Sequence, residues 1–477
     1  MAVTTGDDRP LEVLTGWGRT APSAAHVRRP RAPAELDGAW RAAAASGRGV
    51  IARGLGRAYG DAAQNAGGEV VVTTGLDRIV EVDLPGRRAR VEAGVSLDRL
   101  MRTLVPLGLW PLVTPGTRAV TVGGAIASDV HGKNHHRDGA FGAHVDAIVL
   151  DTPARGRVTV GPDRDPEVFW ATVGGMGLTG IVVEAVVALR PIETATMRVE
   201  RQRLGDLDAL MARMVEADAD AHYSVAWIDC LARGRALGRS VIELGSHAAL
   251  ADLPPTARSR ALRFAPATRL AAPPWVPGGL LNRASVAAFN EVWFRRAPAA
   301  AEHHLVPAAA FFHPLDAVAG WNRIYGPRGF VQYQLVVPDG AEAALSAAVE
   351  AVSSARCASF LAVLKRFGPA DPAPLGFPMP GWTLALDVPA STPGLAALLD
   401  GLDAVVAAAG GRVYLSKDSR LRPELLEVMY PELPRWRAVR DDLDPDRLLC
   451  SDLARRLPLL APHPGHAPQP GRPGGGA

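Results

Sequence analysis

Two glycine constellations in the first third of the chain constrain its fold more than any other feature. The first is Arg53-Gly-Leu-Gly-Arg-Ala-Tyr-Gly-Asp61. Glycines lack Cβ, so several backbone N–H groups can turn toward one anion. Arg57 and Tyr59 are then placed to close over a phosphate or a ring. The second is Thr114-Pro-Gly-Thr-Arg-Ala-Val-Thr-Val-Gly-Gly-Ala-Ile-Ala-Ser-Asp-Val-His-Gly-Lys-Asn-His-His136. Pro115-Gly116 makes a tight turn, and Gly123-Gly124 lets a ligand approach the backbone. An apolar stretch then delivers the polar cluster His131, Lys133, Asn134, His135 and His136. Such a cluster is costly to bury unless its groups meet a ligand. The histidines lack matching cysteine or carboxylate spacing, so no metal is expected.

A third constellation, Gly174-Gly-Met-Gly-Leu-Thr-Gly180, contains G-x-G-x-x-G at 175–180. It precedes an apolar strand at 181–189 instead of following a strand and opening a helix. The dinucleotide-binding context therefore fails, and a nicotinamide-dependent dehydrogenase is set aside. Around these loops, residues 47–190 read as short strands (70–73, 79–82, 89–91) and one helix (97–104). Residues 195–410 alternate helical patterns (205–217, 341–354) with strands (225–229, 330–337, 360–365, 383–388). A strand at 412–415 and helices at 422–429 and 434–441 follow. The fold class is α+β: a first domain at 8–193, a second with a mixed sheet and helices at 194–411, and a segment at 412–460 returning to the first. The Pro-, Gly- and Ala-rich end, 461–477, cannot bury a core and is expected to be disordered.

A net charge of +3 gives no ground for nucleic-acid binding. Three scattered cysteines fit neither a disulfide scaffold nor a metal site, and no run of 18 apolar residues exists. With no apolar signal segment at the N-terminus, a cytoplasmic location or one peripheral to a membrane is expected, the periplasmic face remaining an alternative. Residues 253–290 carry five arginines, Trp275 and no acidic residue. They read as a loop poor in helix or strand, either merely solvated or resting on anionic lipid. Of 52 basic residues only Lys133, Lys365 and Lys417 are lysine. Biased composition explains the arginine excess. A chain that uses arginine wherever a cation suffices keeps lysine where a compact charge that can lose its proton is required.

Val91-Glu-Ala-Gly-Val95, Pro115-Gly116, Val122-Gly-Gly124, His131-Gly132 and the run from Gly174 to Ile181 resemble, in order and spacing, the FAD domain of the vanillyl-alcohol-oxidase (PCMH-type) flavoproteins. The resemblance implies non-covalent FAD wrapped by the glycine loops. The implied contacts are Arg53, Gly54, Leu55, Gly56, Arg57, Ala58, Tyr59 and Gly60 in the first loop. In the second they are Pro115, Gly116, Thr117, Thr121, Val122, Gly123, Gly124, Ala127, Ser128, His131, Gly132, Asn134 and His135. Gly177, Gly180, Ile181 and Tyr414 complete the set.

Arg-Gly-Leu-Gly-Arg-x-Tyr-Gly-Asp, His-Gly-Lys-Asn-His-His, Trp321-Asn-Arg-Ile-Tyr-Gly-Pro327, Phe330-Val-Gln-Tyr-Gln334, Tyr414-Leu-Ser-Lys-Asp-Ser-Arg420 and Ser451-Asp-Leu-Ala-Arg-Arg456 resemble a narrower branch, the decaprenylphosphoryl-β-D-ribose 2′-oxidases, over about residues 10 to 460. That branch implies hydride transfer from C2′ of the ribose to flavin N5 and a 2′-keto product. A separate NAD(P)H-dependent reductase would complete the epimerisation for cell-wall arabinan. Lys417 would act as base or charge stabiliser beside the flavin, with Tyr59 near it. Lys133 would meet the substrate phosphate or a hydroxyl, and Lys365 would reach the same cleft. Gln334, Asn322 and Trp382 are candidate pocket liners, and Ala385 stands where some members carry cysteine. Two rivals remain: an oxidase of a soluble sugar, alditol or lactone, whose usual His-Gly-Ser-Gly differs from His131-Gly-Lys-Asn, and a non-catalytic flavin-binding scaffold.

Overall fold

The strand from Ile181 to Pro191 is apolar at nearly every position as far as Leu189, and its burial is continuous at first and alternates thereafter, as in a strand covered on both faces and then on one. In the computed structural model, which describes residues 10–460, it is the central strand of the first domain. Its sheet is antiparallel throughout: β5 (Ile79–Asp83), β6 (Arg88–Glu92), β7 (Leu109–Pro111), β8 (Val145–Thr152), β9 (Gly156–Val160) and β10 (Ile181–Pro191), with β10 flanked by β6 and β8. A smaller sheet, β1 (Leu11–Leu14), β2 (Ser23–Arg28), β3 (Val50–Arg53) and β4 (Glu69–Val72), joins parallel pairs β2·β4 and β3·β4 to an antiparallel edge. The first glycine loop leaves the end of β3. The expected tail at 461–477 and the first two residues of the expected first domain lie outside the described residues.

The second domain is one antiparallel sheet. It takes in β11 (Thr196–Leu204), β12 (Tyr223–Ile228), β13 (Ser240–His247), β15 (Glu302–Pro307), β17 (Phe330–Pro338), β18 (Ala362–Phe367), β19 (Gly381–Pro389) and β20 (Arg412–Val413), in the order β15-β11-β13-β12-β18-β19-β17-β20. A two-stranded parallel pair, β14 (Leu270–Ala271) with β16 (Val318–Ala319), lies beside it. Helices Leu207–Ala217, Glu342–Ser354 and Leu395–Ala408 bury Leu210, Met214, Leu345, Val349, Leu399 and Val406 against one face of the large sheet. The other face is turned toward the glycine loops.

The structure holds several elements beyond the sequence expectation, and three of the differences bear on the site. β11 was not expected, because Arg198, Glu200, Arg201, Gln202 and Arg203 hide its alternation. The loop at 253–290 ends in a helix, Arg283–Arg296, which only Val286 and Asn290 anchor by burial. Its start is set locally: Asn282 Oδ1 accepts the N–H groups of Ala284 and Ser285. The strand expected at 412–415 is only Arg412–Val413 and belongs to the large sheet through β17, so the return to the first domain begins after Val413.

That return is firmly held. Cys450 N–H donates to Val50 O at 3.0 Å, and Val50 N–H to Leu448 O at 2.7 Å. Trp436 Nε1 donates to Ala171 O at 2.9 Å. Arg456 sends a two-pronged hydrogen bond to Asp61, 2.9 Å on each prong, and lies 2.8 Å from Asp418. Removing the cation strands two largely buried carboxylates. Arg456→Met should therefore lower the unfolding free energy by about 3 kcal/mol, measured as a fall in the urea midpoint; an unchanged midpoint would deny the bridge any structural weight.

Candidate active site

Residues two apart on a strand share a face. On the large sheet that rule collects Val241 and Glu243 (β13), Val225 and Trp227 (β12), Val363 and Lys365 (β18), Ala385 (β19), and Gln332 and Gln334 (β17) on one surface. The register confirms it: Val225 is opposite Glu243, Trp227 opposite Val241 and Val363, and Ala385 opposite Val363 and Gln334. This surface forms one wall of a cavity of about 430 Å³. The glycine loops form the other, with Gly54, Gly56, Pro115, Gly116, Thr117, Gly123, Gly124, Gly132, Gly177 and Gly180 at its border.

The loop wall is built by close approach. A Cβ on Gly54 would lie 2.2 Å from Thr121 Oγ1, so only glycine lets the first loop touch the second. Gly177 has φ +75°, a conformation that disfavours any other residue. Thr121 caps the short helix Val122–Ala127 by accepting Gly124 N–H at 3.1 Å. Among the described residues, the amides of 55–58 meet no backbone carbonyl. Buried polar atoms of Arg57 (Nε), His131 (Nδ1), Gln332 (Oε1) and Gln334 (Oε1) also find no partner among them. A glycine cradle with free amides, a cation and both unsatisfied donors and acceptors suits a ligand carrying a pyrophosphate and a polar heteroaromatic ring.

Comparison with known proteins agrees. A family model described as an FAD binding domain matches residues 24–161, and one described as D-arabinono-1,4-lactone oxidase matches residues 389–457. The decaprenylphosphoryl-beta-D-ribose oxidase of Mycolicibacterium smegmatis is 44% identical over 453 residues, 94% of this chain and 97% of that protein. An uncharacterized protein of Streptomyces coelicolor is 43% identical over 76% of this chain and its own full length. A mitochondrial L-galactono-1,4-lactone dehydrogenase of Brassica oleracea is 32% identical over 23% of this chain and 18% of its own length. The chain belongs to the decaprenylphosphoryl-β-D-ribose oxidase family. It is an FAD-dependent oxidoreductase with a PCMH-type FAD-binding domain, and residues of both cavity walls are those that would hold the cofactor.

The three lysines of the chain meet here. Lys133, Lys365 and Lys417 all border the cavity. Burial lowers each ammonium's pKa, that of Lys133 to about 8. Lys365 falls to about 7 because burial is reinforced by Lys417 and Lys133. Burial also lowers Lys417, against the pull of Asp387, whose own carboxyl is raised by burial. Lys133 Nζ donates to Phe311 O at 2.6 Å, sits 3.9 Å over the Phe311 ring and lies 3.9 Å from Glu243. Lys417 Nζ lies 5.5 Å from the Tyr59 ring centre and 6.0 Å from that of Tyr414. Burial keeps the Tyr59 phenol protonated. Tyr414 borders the cavity, stacks on Phe377 at 4.6 Å and donates to Ser128 O at 2.6 Å.

Several expected contacts do not border the cavity. Trp382 faces the helices instead: its Nε1 is 3.3 Å from Glu342, and Arg366 lies over its ring. It stands an odd number of residues from Ala385, so the two cannot share a face. Asn322 donates to Trp17 O at 2.9 Å, behind the site. Arg53 props the first loop through Thr15 O and Ala63 O. A Cβ on Gly60 would lie 1.9 Å from Asp418 O, so Gly60 is where the loop meets the C-terminal segment. Val122 and Ile181 are core residues. Asn134 donates to Leu112 O, and His135 Nδ1 accepts Gly368 N–H. The remaining expected residues of the glycine loops, Leu55, Ala58, Ala127 and Ser128 among them, do border it.

Sequence reading missed Trp17, whose ring lies 3.6 Å below the Arg57 guanidinium, and Glu243, Val225, Trp227, Val363 and Gln332. Val363 and Gln332 were accessible by alternation from Lys365 and Gln334 once the strands were placed, whereas Val225 and Trp227, on β12, needed the strand pairing as well. Lys365 allows a test with a definite sign. Its folded pKa, about 7, lies below the ordinary 10.5. Between those values the unfolded chain binds more protons, so stability rises with pH. Lys365→Met should stabilise the FAD-free protein at pH 7, and that gain should shrink by pH 10, read from urea unfolding at both. A gain that does not change with pH would sink the assignment.

Proposed function

We propose that the chain oxidises the 2′-hydroxyl of a decaprenylphosphoryl-β-D-ribose to the 2′-keto sugar, the first half of its epimerisation to the arabinose donor for cell-wall arabinan. The observation that carries this reading is the meeting of all three lysines in one buried cavity bordered by the glycine loops, in a chain whose other cations are arginine. FAD, when bound, supplies the hydride acceptor. Neutral Lys417 takes the hydroxyl proton. Burial favours that neutral form, and Tyr59 beside it stays protonated, orienting the sugar without competing for the proton. Lys133 and Lys365 meet the single negative charge of the phosphodiester. The apolar stretch of Val225, Trp227 and Val363 receives the first prenyl units.

The same reading assigns partners. The 2′-keto product passes to a separate NAD(P)H-dependent reductase. Among the described residues no helix is long and apolar enough to cross a membrane. Contact with lipid falls instead to the basic segment at 253–290, where Trp275 and Leu280 are exposed among arginines with no acidic residue between them. The enzyme would work at a membrane surface. The lactone-oxidase match at 389–457 favours a second reading, a soluble sugar lactone as substrate.

Anaerobic mixing separates the two. Polyprenylphosphoryl ribose should bleach the flavin absorbance band and aldonolactones should not; bleaching by lactones alone would overturn the proposal. Lys417→Met should keep FAD and lose about 10²–10⁴-fold in turnover. Wild-type turnover should rise with pH toward an apparent pKa below the ordinary lysine value of 10.5, because the base works only when neutral. A flat profile would remove Lys417 as the base.

A further inference from the structure

His131 and Gln334 come from opposite walls of the cavity and touch. Gln334 Nε2 is 3.0 Å from His131 Nε2 and 2.9 Å from Thr383 Oγ1. Thr383 Oγ1 is in turn 2.8 Å from Leu335 O. These distances fix the proton on every atom of the chain. A carbonyl oxygen only accepts, so the single hydroxyl hydrogen of Thr383 goes to Leu335 O. Thr383 Oγ1 is then left to accept, and its neighbour on Gln334 must be the amide nitrogen. The second hydrogen of that nitrogen points at His131 Nε2, which must offer a lone pair.

His131 is buried, with Phe367, Phe377 and Tyr414 ring centres at 4.8, 5.6 and 5.3 Å. Burial above all, and then Lys365 and Lys417, disfavours a positive charge on it, so the imidazole is neutral. A neutral imidazole with Nε2 bare carries its proton on Nδ1. Nδ1 has no partner among the described residues, although His131 borders the cavity. A buried N–H without an acceptor is costly, which points to an acceptor on the ligand.

We propose that Gln334 and Thr383 are positioning residues: they hold His131 with its one ring proton on Nδ1, and that N–H is a hydrogen-bond donor to bound FAD. The inference rests on FAD as the cofactor and not on which alcohol is oxidised. It also gives Gln334 a role other than substrate contact. The Gln334 side chain acts through the histidine, and its Oε1, unpartnered among the described residues, is what remains for a substrate hydroxyl.

Imidazole nitrogen shifts of the ¹⁵N-histidine-labelled holoenzyme read the tautomer directly, with His131→Asn assigning the signal. The expected wild-type result is a protonated Nδ1 and a bare Nε2. Gln334→Glu presents only oxygens to Nε2 and should invert the tautomer. FAD binding, followed by flavin fluorescence, should then weaken about tenfold, as loss of one buried hydrogen bond does, with a shift of the flavin visible band. Thr383→Ser keeps the hydroxyl and should leave tautomer and FAD affinity within about twofold of wild type, whereas Thr383→Val should not. A wild-type His131 protonated on Nε2 would overturn the proposal even if no variant folds. So would an inverted tautomer in Gln334→Glu with unchanged FAD affinity and spectrum. Failure of ribose substrates to bleach the flavin would leave these signals untouched and would count only against the substrate reading.

Discussion

The site depends on one junction, where the C-terminal segment is locked against the first glycine loop. Tyr59 N–H donates to Ser416 O at 3.0 Å, Gly60 is pressed on Asp418 O, and Arg456 bridges Asp61 of the loop to Asp418 of the segment. Asp418 also caps its own turn by accepting the N–H groups of Arg420 and Leu421. Lys417 sits inside this junction, between residues whose backbone is held on both sides. A lysine on a four-carbon stem keeps a defined place only if its Cα does, and here ion pairs and backbone bonds from three distant parts of the chain define it. The same contacts attach the loop that faces the cofactor to the strand that ends the large sheet, so the two cavity walls form one construction.

Arginine does that structural work almost everywhere in the molecule. It forks to Asp61 and Glu92, pairs with Asp444 and closes on backbone carbonyls with a charge that cannot be lost. Lysine appears only on the cavity, where burial brings the ammonium toward neutrality. Three such groups in one apolar enclosure repel one another, and among the described residues Glu243 and Asp387 are the carboxylates that compensate. Lys365 has neither. A bound phosphodiester would relieve that imbalance, which ties the substrate's charge to the stability of the empty wall.

Much of this was legible in the sequence because glycine and lysine are informative when they are constrained. The glycine loops could be placed without any strand being assigned, since the need for backbone approach is local. Lys133 and Lys417 stood out for the same reason. What the sequence hid is parity and cover. Trp382 is expected as a liner alongside Ala385, yet a strand sends the two to opposite faces, and the helix Glu342–Ser354 claims the tryptophan. β11 is written in charged residues because it lies near the edge of its sheet, paired on one side only with the exposed strand β15. The helix Arg283–Arg296 is nearly blank in apolar pattern because it covers the site with Trp293, which Arg201 approaches at 4.7 Å, instead of inserting into a core.

Ala385 shows how one position can change chemistry without changing the fold. It borders the cavity between Val363 and Gln334, on a strand whose backbone pairs regularly on both sides. A thiol there would share the cavity with three lysines, and a charged ammonium near a thiol lowers its pKa and raises its reactivity. With alanine the cavity holds no such group: Cys230 and Cys357 are buried in the core behind the sheet, and Cys450 belongs to the C-terminal segment. Thiol-directed electrophiles therefore have no target on this wall, and any ligand must be held by the amines, the two glutamine amides and the apolar stretch at Trp227. Selectivity at this site is consequently a matter of charge and shape, and on the proposed reading the lysines that would drive the reaction also set what can bind.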